Sequence, residues 1–158
     1  MQNEIIVSGF GGQGVLFGGQ LIAYTAMDHN QQVTWIPSYG PEMRGGTANC
    51  TVIVSNEEIG SPLVKNPKAV IAMNLPSLNK YEDLIQPGGV LIVNTSMVDR
   101  TAARDDITIM ALPANDIADQ LGTPKSLNMV MLGALLSKLP LFTLAEVEAS
   151  MKAHTPER

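Results

Sequence analysis

Short apolar runs and segments of helical periodicity alternate along the first part of the chain. Residues 5–7 form a short apolar run between a polar residue and a cluster of glycines, which predicts a strand buried on both faces of a parallel sheet. Residues 15–27 carry apolar side chains at helical spacing and contain no proline, so they predict a helix that begins where the glycines end. The amino-terminal pattern is therefore a strand, a glycine loop and a helix.

The same alternation continues to the carboxyl terminus. Pro37 is expected to stop the second strand, and Thr143 with Glu146 forms a capping-box pattern that predicts the start of the last helix. Together the elements predict an α/β fold: a three-layer sandwich with a Rossmann-like, mostly parallel sheet and helices on both faces. The further strands are predicted at residues 33–36, 47–55, 69–73, 90–93 and 107–112, and the further helices at residues 75–85, 113–121, 126–139 and 143–154.

The length of the chain and one of its helices bear on how it is organised. With 158 residues the chain has the size of one ordinary domain, so we predict that residues 1–158 form a single domain. The helix at residues 126–139 is apolar almost all round, which is more typical of a helix buried in a core or in an interface than of one facing solvent.

Composition and charge exclude several classes of function. The net charge is -5 and no cluster of Lys and Arg is visible, which argues against an electrostatic grip on nucleic acid. Cys50 is the only cysteine, so the chain cannot form an internal disulfide or supply four thiolates to an iron–sulfur cluster, and its place in a predicted strand favours a small buried side chain. The chain has no signal-peptide pattern and no apolar stretch of about 18 residues. We therefore expect a cytoplasmic protein without a membrane segment.

The glycine cluster matches the pattern G-x-G-x-x-G directly between a strand and a helix. In that position, small residues let the backbone approach a ligand closely, and the free amides at the helix terminus attract an anion such as phosphate. The structural alternative is a tight turn that needs glycines only for its backbone angles or for helix–sheet packing. The candidate anion-binding residues are Gly9, Gly11, Gly12, Gln13 and Gly14.

A dinucleotide-binding enzyme would carry an acidic residue about 20 residues after the glycines, at the end of the second strand, to bind the ribose hydroxyls. Residues 35–38 of this chain read Trp-Ile-Pro-Ser at that place. The missing acid makes NAD or FAD a less favoured ligand than another phosphorylated molecule, or than no ligand.

The loop at residues 38–46 is the second segment with candidate chemistry. It reads SYGPEMRGG and combines a Gly-Pro turn with two glycines and the charged residues Glu42 and Arg44. The guanidinium of Arg44 suits a phosphate or carboxylate ligand, because its planar fork donates two parallel hydrogen bonds. Its structural alternative is an ion pair with a local carboxylate.

The two segments GFGGQGV and YGPEMRGGTANC together resemble the gamma subunit, or gamma domain, of the 2-oxoacid:ferredoxin oxidoreductases. This family includes the pyruvate, 2-oxoglutarate, ketoisovalerate and indolepyruvate enzymes. The resemblance continues through residues 51–55, 69–73 and 88–90, and so covers most of the chain. The chain is somewhat short for the family, which suggests that a closing segment has been lost after residue 158.

The resemblance implies a role inside a larger enzyme that oxidatively decarboxylates a 2-oxoacid, makes acyl-CoA and reduces ferredoxin. Thiamine diphosphate and [4Fe–4S] clusters are then expected on partner chains: alpha and beta subunits, and often a ferredoxin-like delta subunit. The resemblance associates the gamma domain with coenzyme A. The glycine loop, residues 9–14, is the implied contact for its phosphate-bearing part, with Arg44 as a further candidate.

Two other functions remain open on the residues alone. The glycine loop by itself also fits an independent Rossmann-type nucleotide-binding protein. The apolar helix at residues 126–139 would also fit a structural module that docks onto a partner or onto a second copy.

Overall fold

The helices and strands follow the predicted order. The computed structural model describes residues 2–11, 13–39 and 47–154. The strands are β1 (Gln2–Phe10), β2 (Gln32–Tyr39), β3 (Thr47–Ser55), β4 (Ala69–Ala72), β5 (Val90–Asn94) and β6 (Thr108–Leu112). The helices are α1 (Val15–Asp28), α2 (Leu75–Tyr81), α3 (Ala114–Gln120), α4 (Leu127–Lys138) and α5 (Leu144–His154), with 3₁₀ turns at Glu82–Leu84 and Pro124–Ser126.

The six strands form one mixed sheet in the order β2-β3-β1-β4-β5-β6. Strands β1, β4, β5 and β6 pair in parallel, whereas β3 is antiparallel to both of its neighbours. Five strands therefore point in one direction and only β3 points in the other. The predicted α/β fold with a mostly parallel, Rossmann-like sheet is confirmed.

Two apolar clusters cover the two faces of the sheet and make the three layers. The first lies between the sheet and helices α1, α3, α4 and α5, and the second lies between the sheet and α2 with the turn that follows it. Helix α4 belongs to the first cluster, where Met131 and Leu135 are fully buried. The apolar pattern of residues 126–139 thus reflects packing inside the chain. The assignment of residues 1–158 to a single domain stays a prediction.

Several boundaries differ from the sequence prediction, most of them by one or two residues. Strand β1 is longer than predicted, at Gln2–Phe10 against residues 5–7, and two further differences have a clear physical reason. Strand β2 continues through Pro37 to Tyr39, so the expected stop at Pro37 is wrong. The physical reason is that β2 is an edge strand, where a residue without an N–H group need not break a ladder. The helix predicted at residues 75–85 is regular only over Leu75–Tyr81 and tightens into the 3₁₀ turn Glu82–Leu84.

The predicted capping box of the last helix is confirmed. The amide of Glu146 donates to Thr143 Oγ1 at 3.1 Å, and the amide of Thr143 donates to Glu146 Oε1 at 3.0 Å. These reciprocal hydrogen bonds satisfy two backbone donors at the start of α5 that the helix itself cannot pair.

Helix α1 lies unusually close to β3 because a glycine faces the strand. A Cβ atom added at Gly19 would overlap Cys50 Sγ and would lie 3.2 Å from a methyl group of Val52. The neighbouring Gly18 has no atom within 4 Å of the equivalent position. Gly19 therefore sets the distance between α1 and the sheet, whereas Gly18 does not.

We predict opposite effects for the same substitution at these two adjacent positions. Gly19→Ala should lower the free energy of unfolding by about 1–3 kcal/mol, because the methyl group has no room against β3. Gly18→Ala should raise it by roughly 0.5–1 kcal/mol, because alanine loses less backbone entropy in a helix. Urea unfolding of both variants checks the prediction, and equal effects of the two changes would contradict it.

Candidate functional site

The glycine loop lies where the sheet reverses its winding. The chain leaves β1 for α1 on one face of the sheet, and leaves the neighbouring strand β4 for α2 on the other face. Open α/β sheets bind ligands at such a point, outside the carboxyl ends of the strands. Fold topology therefore places the loop at the favoured position for a ligand.

Two glycines of the loop are required by its geometry. A Cβ atom at Gly9 would lie 2.9 Å from Met73 Cβ, so the loop starts in direct contact with the end of β4. Gly14 has a φ of +76°, a left-handed conformation that favours glycine. Gly11 is exposed at the tip. Gly12, which the sequence also nominates, lies outside the described residues.

The start of α1 offers backbone amides without competition from side chains. Gly14 occupies the N-cap position, no side chain caps the helix, and the first turn contains no acidic residue. The first main-chain hydrogen bond at this end runs from the Gly18 amide to the Gly14 carbonyl at 3.0 Å. The amides of residues 15–17 therefore have no acceptor within the helix, and together with the helix dipole they favour an anion.

Gln13 turns its carboxamide back into the loop. Its side-chain Oε1 accepts a hydrogen bond from the backbone amide of Phe10 at 2.6 Å, and the backbone amide of Gln13 donates to the Phe10 carbonyl at 3.3 Å. The side chain is half-buried. The sequence suggests that the side-chain amide of Gln13 contacts a ligand, and this contact stays a prediction. In the structure, the oxygen of the same carboxamide accepts the Phe10 amide and so closes the loop.

Asn128 supports the loop from α4, and sequence reasoning missed it. Its Nδ2 donates to the Gly14 carbonyl at 3.2 Å, and its side chain is 7% exposed. A Cβ atom at Gly14 would lie 2.5 Å from Asn128 Nδ2, so the glycine and the asparagine fit each other closely. The two residues are 114 positions apart, and no local pattern pairs them.

A mostly apolar pocket of about 360 Å³ opens beside the loop. It lies between the start of α1 and the start of β3, and its wall carries two aromatic side chains, those of Phe10 and Phe17. Phe17 is 39% exposed, which leaves it open to contact from outside the chain. The remaining lining residues in the described part of the chain are Gly11, Gly14, Val15, Leu16 and Ala48.

The second candidate loop begins and ends next to the first. Thr47, the first residue of β3, pairs with Phe10, and Tyr39, the last residue of β2, pairs with Ala48. The chain therefore leaves β2 at Tyr39 and enters β3 at Thr47 beside the glycine loop. Arg44 and Glu42 themselves lie outside the described residues.

The strand order also changes which residues lie where a dinucleotide site would carry its ribose-binding acid. β3 is inserted between β1 and β2, so the backbone beside the loop belongs to the start of β3 and not to the end of the second strand. The residues there are Thr47 and Ala48, which carry no carboxylate. At the start of β3, therefore, no carboxylate stands beside the loop to bind ribose hydroxyls.

Polar side chains line the carboxyl ends of the neighbouring strands. Asn74 Oδ1 accepts a hydrogen bond from the Ser77 amide at 3.0 Å and so caps α2. Its Nδ2 is buried without a hydrogen-bond partner. Ser8 and Ser77 join their hydroxyls at 2.8 Å, and Asn94 Nδ2 donates to the Met73 carbonyl at 3.2 Å. These contacts join β1 to α2, and β5 to the end of β4, at the site.

Ionisable groups with shifted pKa values lie away from the tip of the loop. Burial raises the pKa of the Cys50 thiol to about 11, so this cysteine is a protonated core residue at neutral pH, as predicted. A hydrogen bond from Ser150 lowers the pKa of Asp28 at the far end of α1, and a hydrogen bond from the Thr143 amide lowers the pKa of Glu146. These two carboxylates fasten α5 to the fold through Ser150, His154 and His29.

Among residues 2–11, 13–39 and 47–154, no group of three or more His, Cys, Asp or Glu side chains is arranged to hold a metal ion. None of the helices in the described part of the chain has the length and apolar composition needed to cross a membrane.

Comparison with known proteins identifies the family. Residues 4–158 match the family described as pyruvate ferredoxin/flavodoxin oxidoreductase. The chain belongs to this family. It is 32% identical to the KorC subunit of 2-oxoglutarate synthase from Methanocaldococcus jannaschii, over 99% of this chain and 86% of the relative. It is 37% identical to the VorA subunit of ketoisovalerate oxidoreductase from Methanothermobacter marburgensis, over 85% of this chain. The matched region is only 28% of that VorA chain, so the relative is much longer.

Solved structures of this oxidoreductase family share the fold. The gamma subunit of a keto/oxoacid ferredoxin oxidoreductase from Geobacter sulfurreducens superposes with a TM-score of 0.82 at 27% identity, over 98% of this chain and 87% of that one. The 2-oxoglutarate:ferredoxin oxidoreductase from Magnetococcus marinus, solved with 2-oxoglutarate, coenzyme A and succinyl-CoA bound, gives a TM-score of 0.85 at 23% identity. The superposition covers 96% of this chain and 27% of that longer chain. The resemblance to oxidoreductase gamma subunits is confirmed.

We predict that Asn128 fixes the glycine loop on α4. Asn128→Ala should lower the free energy of unfolding by about 1–2 kcal/mol, because it removes a buried hydrogen bond and leaves the Gly14 carbonyl without that donor. It should also speed hydrogen exchange at residues 13–17. Asn66→Ala is the control, since Asn66 also donates to a distant carbonyl, that of Leu84 at 2.9 Å, but is exposed. If both variants lost the same stability and exchanged alike, Asn128 would have no special role.

Proposed function

We propose that this chain is the gamma subunit of a 2-oxoacid:ferredoxin oxidoreductase, where it contributes to coenzyme A binding and to subunit assembly. The assembled enzyme oxidatively decarboxylates a 2-oxoacid, transfers the acyl group to coenzyme A and passes the electrons to an iron–sulfur protein. The observation that carries the proposal is the uncapped start of α1, which follows a glycine loop at the carboxyl edge of the sheet in a chain of this family.

The site suits the phosphate-bearing part of coenzyme A. Phosphate oxygens are acceptors with negative charge, and the amides at the start of α1 supply donors and a positive dipole end. Gly9 and Gly14 let the loop pack closely on Met73 and Asn128, and the pocket beside Phe10 and Phe17 offers apolar contact next to the anion site. The proposed contacts are Gly9, Gly11, Gly12, Gln13, Gly14 and Arg44.

Redox and decarboxylation chemistry is assigned to partner chains in this proposal. A [4Fe–4S] cluster is held by thiolates, whereas Cys50 is the only cysteine of the sequence and is fully buried. The residues of this chain therefore do not supply the thiolates that a [4Fe–4S] cluster needs. Thiamine diphosphate is likewise proposed to lie on a partner, and this chain would position coenzyme A, whose thiol accepts the acyl group.

The proposed partners are alpha and beta subunits, with a ferredoxin-like delta subunit in addition. Support comes from the relatives, which differ in how the matched region is packaged. The KorC relative is nearly all matched region, whereas the VorA relative carries it as 28% of a longer polypeptide. A region that occurs both as a separate subunit and as part of a longer chain is well suited to permanent assembly. A cytoplasmic location stays a prediction.

A charge substitution at the loop tip tests coenzyme A binding in the assembled enzyme. Gly11→Asp should raise the KM for coenzyme A by roughly tenfold, because a negative charge beside the phosphates costs about 1–2 kcal/mol, and should leave the KM for the 2-oxoacid unchanged. The new carboxylate lies near a helix N-terminus, which does not destabilise the chain itself. Steady-state kinetics on the chain co-expressed with its partners measures both constants.

The matched control is Gly60→Asp, which introduces the same charge at an exposed glycine with no atom within 4 Å of its Cβ position. An unchanged KM for coenzyme A in Gly11→Asp would assign the loop a purely structural role. Full turnover by the chain without any partner would contradict the proposed assembly.

A further inference from the structure

The oxygen of the Gln13 side chain already accepts the hydrogen bond of one backbone amide in the glycine loop. Gln13 Oε1 accepts the Phe10 amide at 2.6 Å, which is shorter than the usual 2.9–3.0 Å between a backbone amide and a neutral oxygen. A carboxamide oxygen and a phosphate oxygen are both acceptors for the same kind of donor. An anion that reaches the Phe10 amide must therefore replace this contact.

The surrounding backbone holds the carboxamide in this position. The backbone amide of Gln13 donates to the Phe10 carbonyl at 3.3 Å, so the main chain closes a turn between these two residues. The side-chain oxygen of Gln13 closes the same turn from the other direction. A Cβ atom at Gly9 would lie 2.5 Å from Gln13 Oε1, so the side chain rests directly on the backbone of Gly9. Gln13 also directly precedes Gly14, the N-cap residue of α1, where no side chain caps the helix and the helix dipole favours negative charge.

From these contacts we infer that Gln13 is an internal competitor of coenzyme A: its carboxamide closes the loop in the free chain and is displaced when the phosphates bind. The inference rests on the proposed function of the loop and revises the role of Gln13 within it, from a proposed side-chain contact of coenzyme A to a side chain that coenzyme A displaces. Gln13 lowers the affinity of the site and keeps the loop folded while the site is empty. Removal of its side chain should then strengthen binding, the opposite of what a direct ligand contact would give.

The test measures coenzyme A binding by calorimetry on the chain co-purified with its partner subunits. Gln13→Ala should bind coenzyme A about two- to tenfold more tightly than the native chain, because one internal hydrogen bond no longer has to be broken. Gln13→Glu keeps the acceptor and adds a negative charge, and should bind at least about tenfold more weakly. Gln20→Ala, which removes a glutamine of α1 that donates to the Tyr24 hydroxyl, should bind as the native chain does.

A second readout does not depend on affinity. Hydrogen exchange at the Phe10 amide should be slow in the native chain and faster in Gln13→Ala without ligand, while unchanged exchange in the buried strands β4 and β5 shows that the variant is folded. If Gln13→Ala bound coenzyme A equally or more weakly while the native chain still bound it, the competitor role would be wrong and the proposed function would stand. If neither the native chain nor Gln13→Ala bound coenzyme A, both would be wrong.

Discussion

The close packing of helix α1 on strand β3 determines where the candidate site lies. Gly19 lets the helix approach the strand closely enough to contact Cys50, and the Cys50 thiol in turn donates to the carbonyl of Val15, the first residue of the helix, at 3.6 Å. A close-packed core transmits such a constraint directly to the backbone. The start of α1, where the amides of residues 15–17 have no acceptor within the helix, is thus held at the carboxyl edge of the sheet, beside the end of β4.

Two longer-range contacts complete this position. Met73 meets Gly9 on one side of the loop, and Asn128 donates to Gly14 on the other. The loop is therefore fixed by three elements that are far apart in the sequence, namely β3, β4 and α4. An anion site built on a fixed backbone loses little entropy when it binds its ligand, which suits a subunit that positions a substrate for chemistry carried out elsewhere.

The sequence revealed the fold well where the pattern is local. Strand β3 has the predicted bounds because β-branched residues fill it, and α5 starts where the Thr143 and Glu146 pair indicates. Edge position, however, is a property of the assembled sheet, and for that reason Pro37 gave a wrong strand end. The candidate site was predictable only in its glycines. Neither Asn128, 114 residues from Gly14, nor the inward turn of the Gln13 carboxamide follows from any local spacing.

The proposed role of the chain requires that the amides at the start of α1 receive coenzyme A. Hydrogen–deuterium exchange of the assembled enzyme, with and without coenzyme A, reports on these amides. Coenzyme A should slow exchange at residues 15–17, whose amides have no acceptor within the helix, and should leave α5 unchanged. Unchanged exchange at residues 15–17 under saturating coenzyme A, with protection elsewhere in the chain, would show that coenzyme A binds at another place.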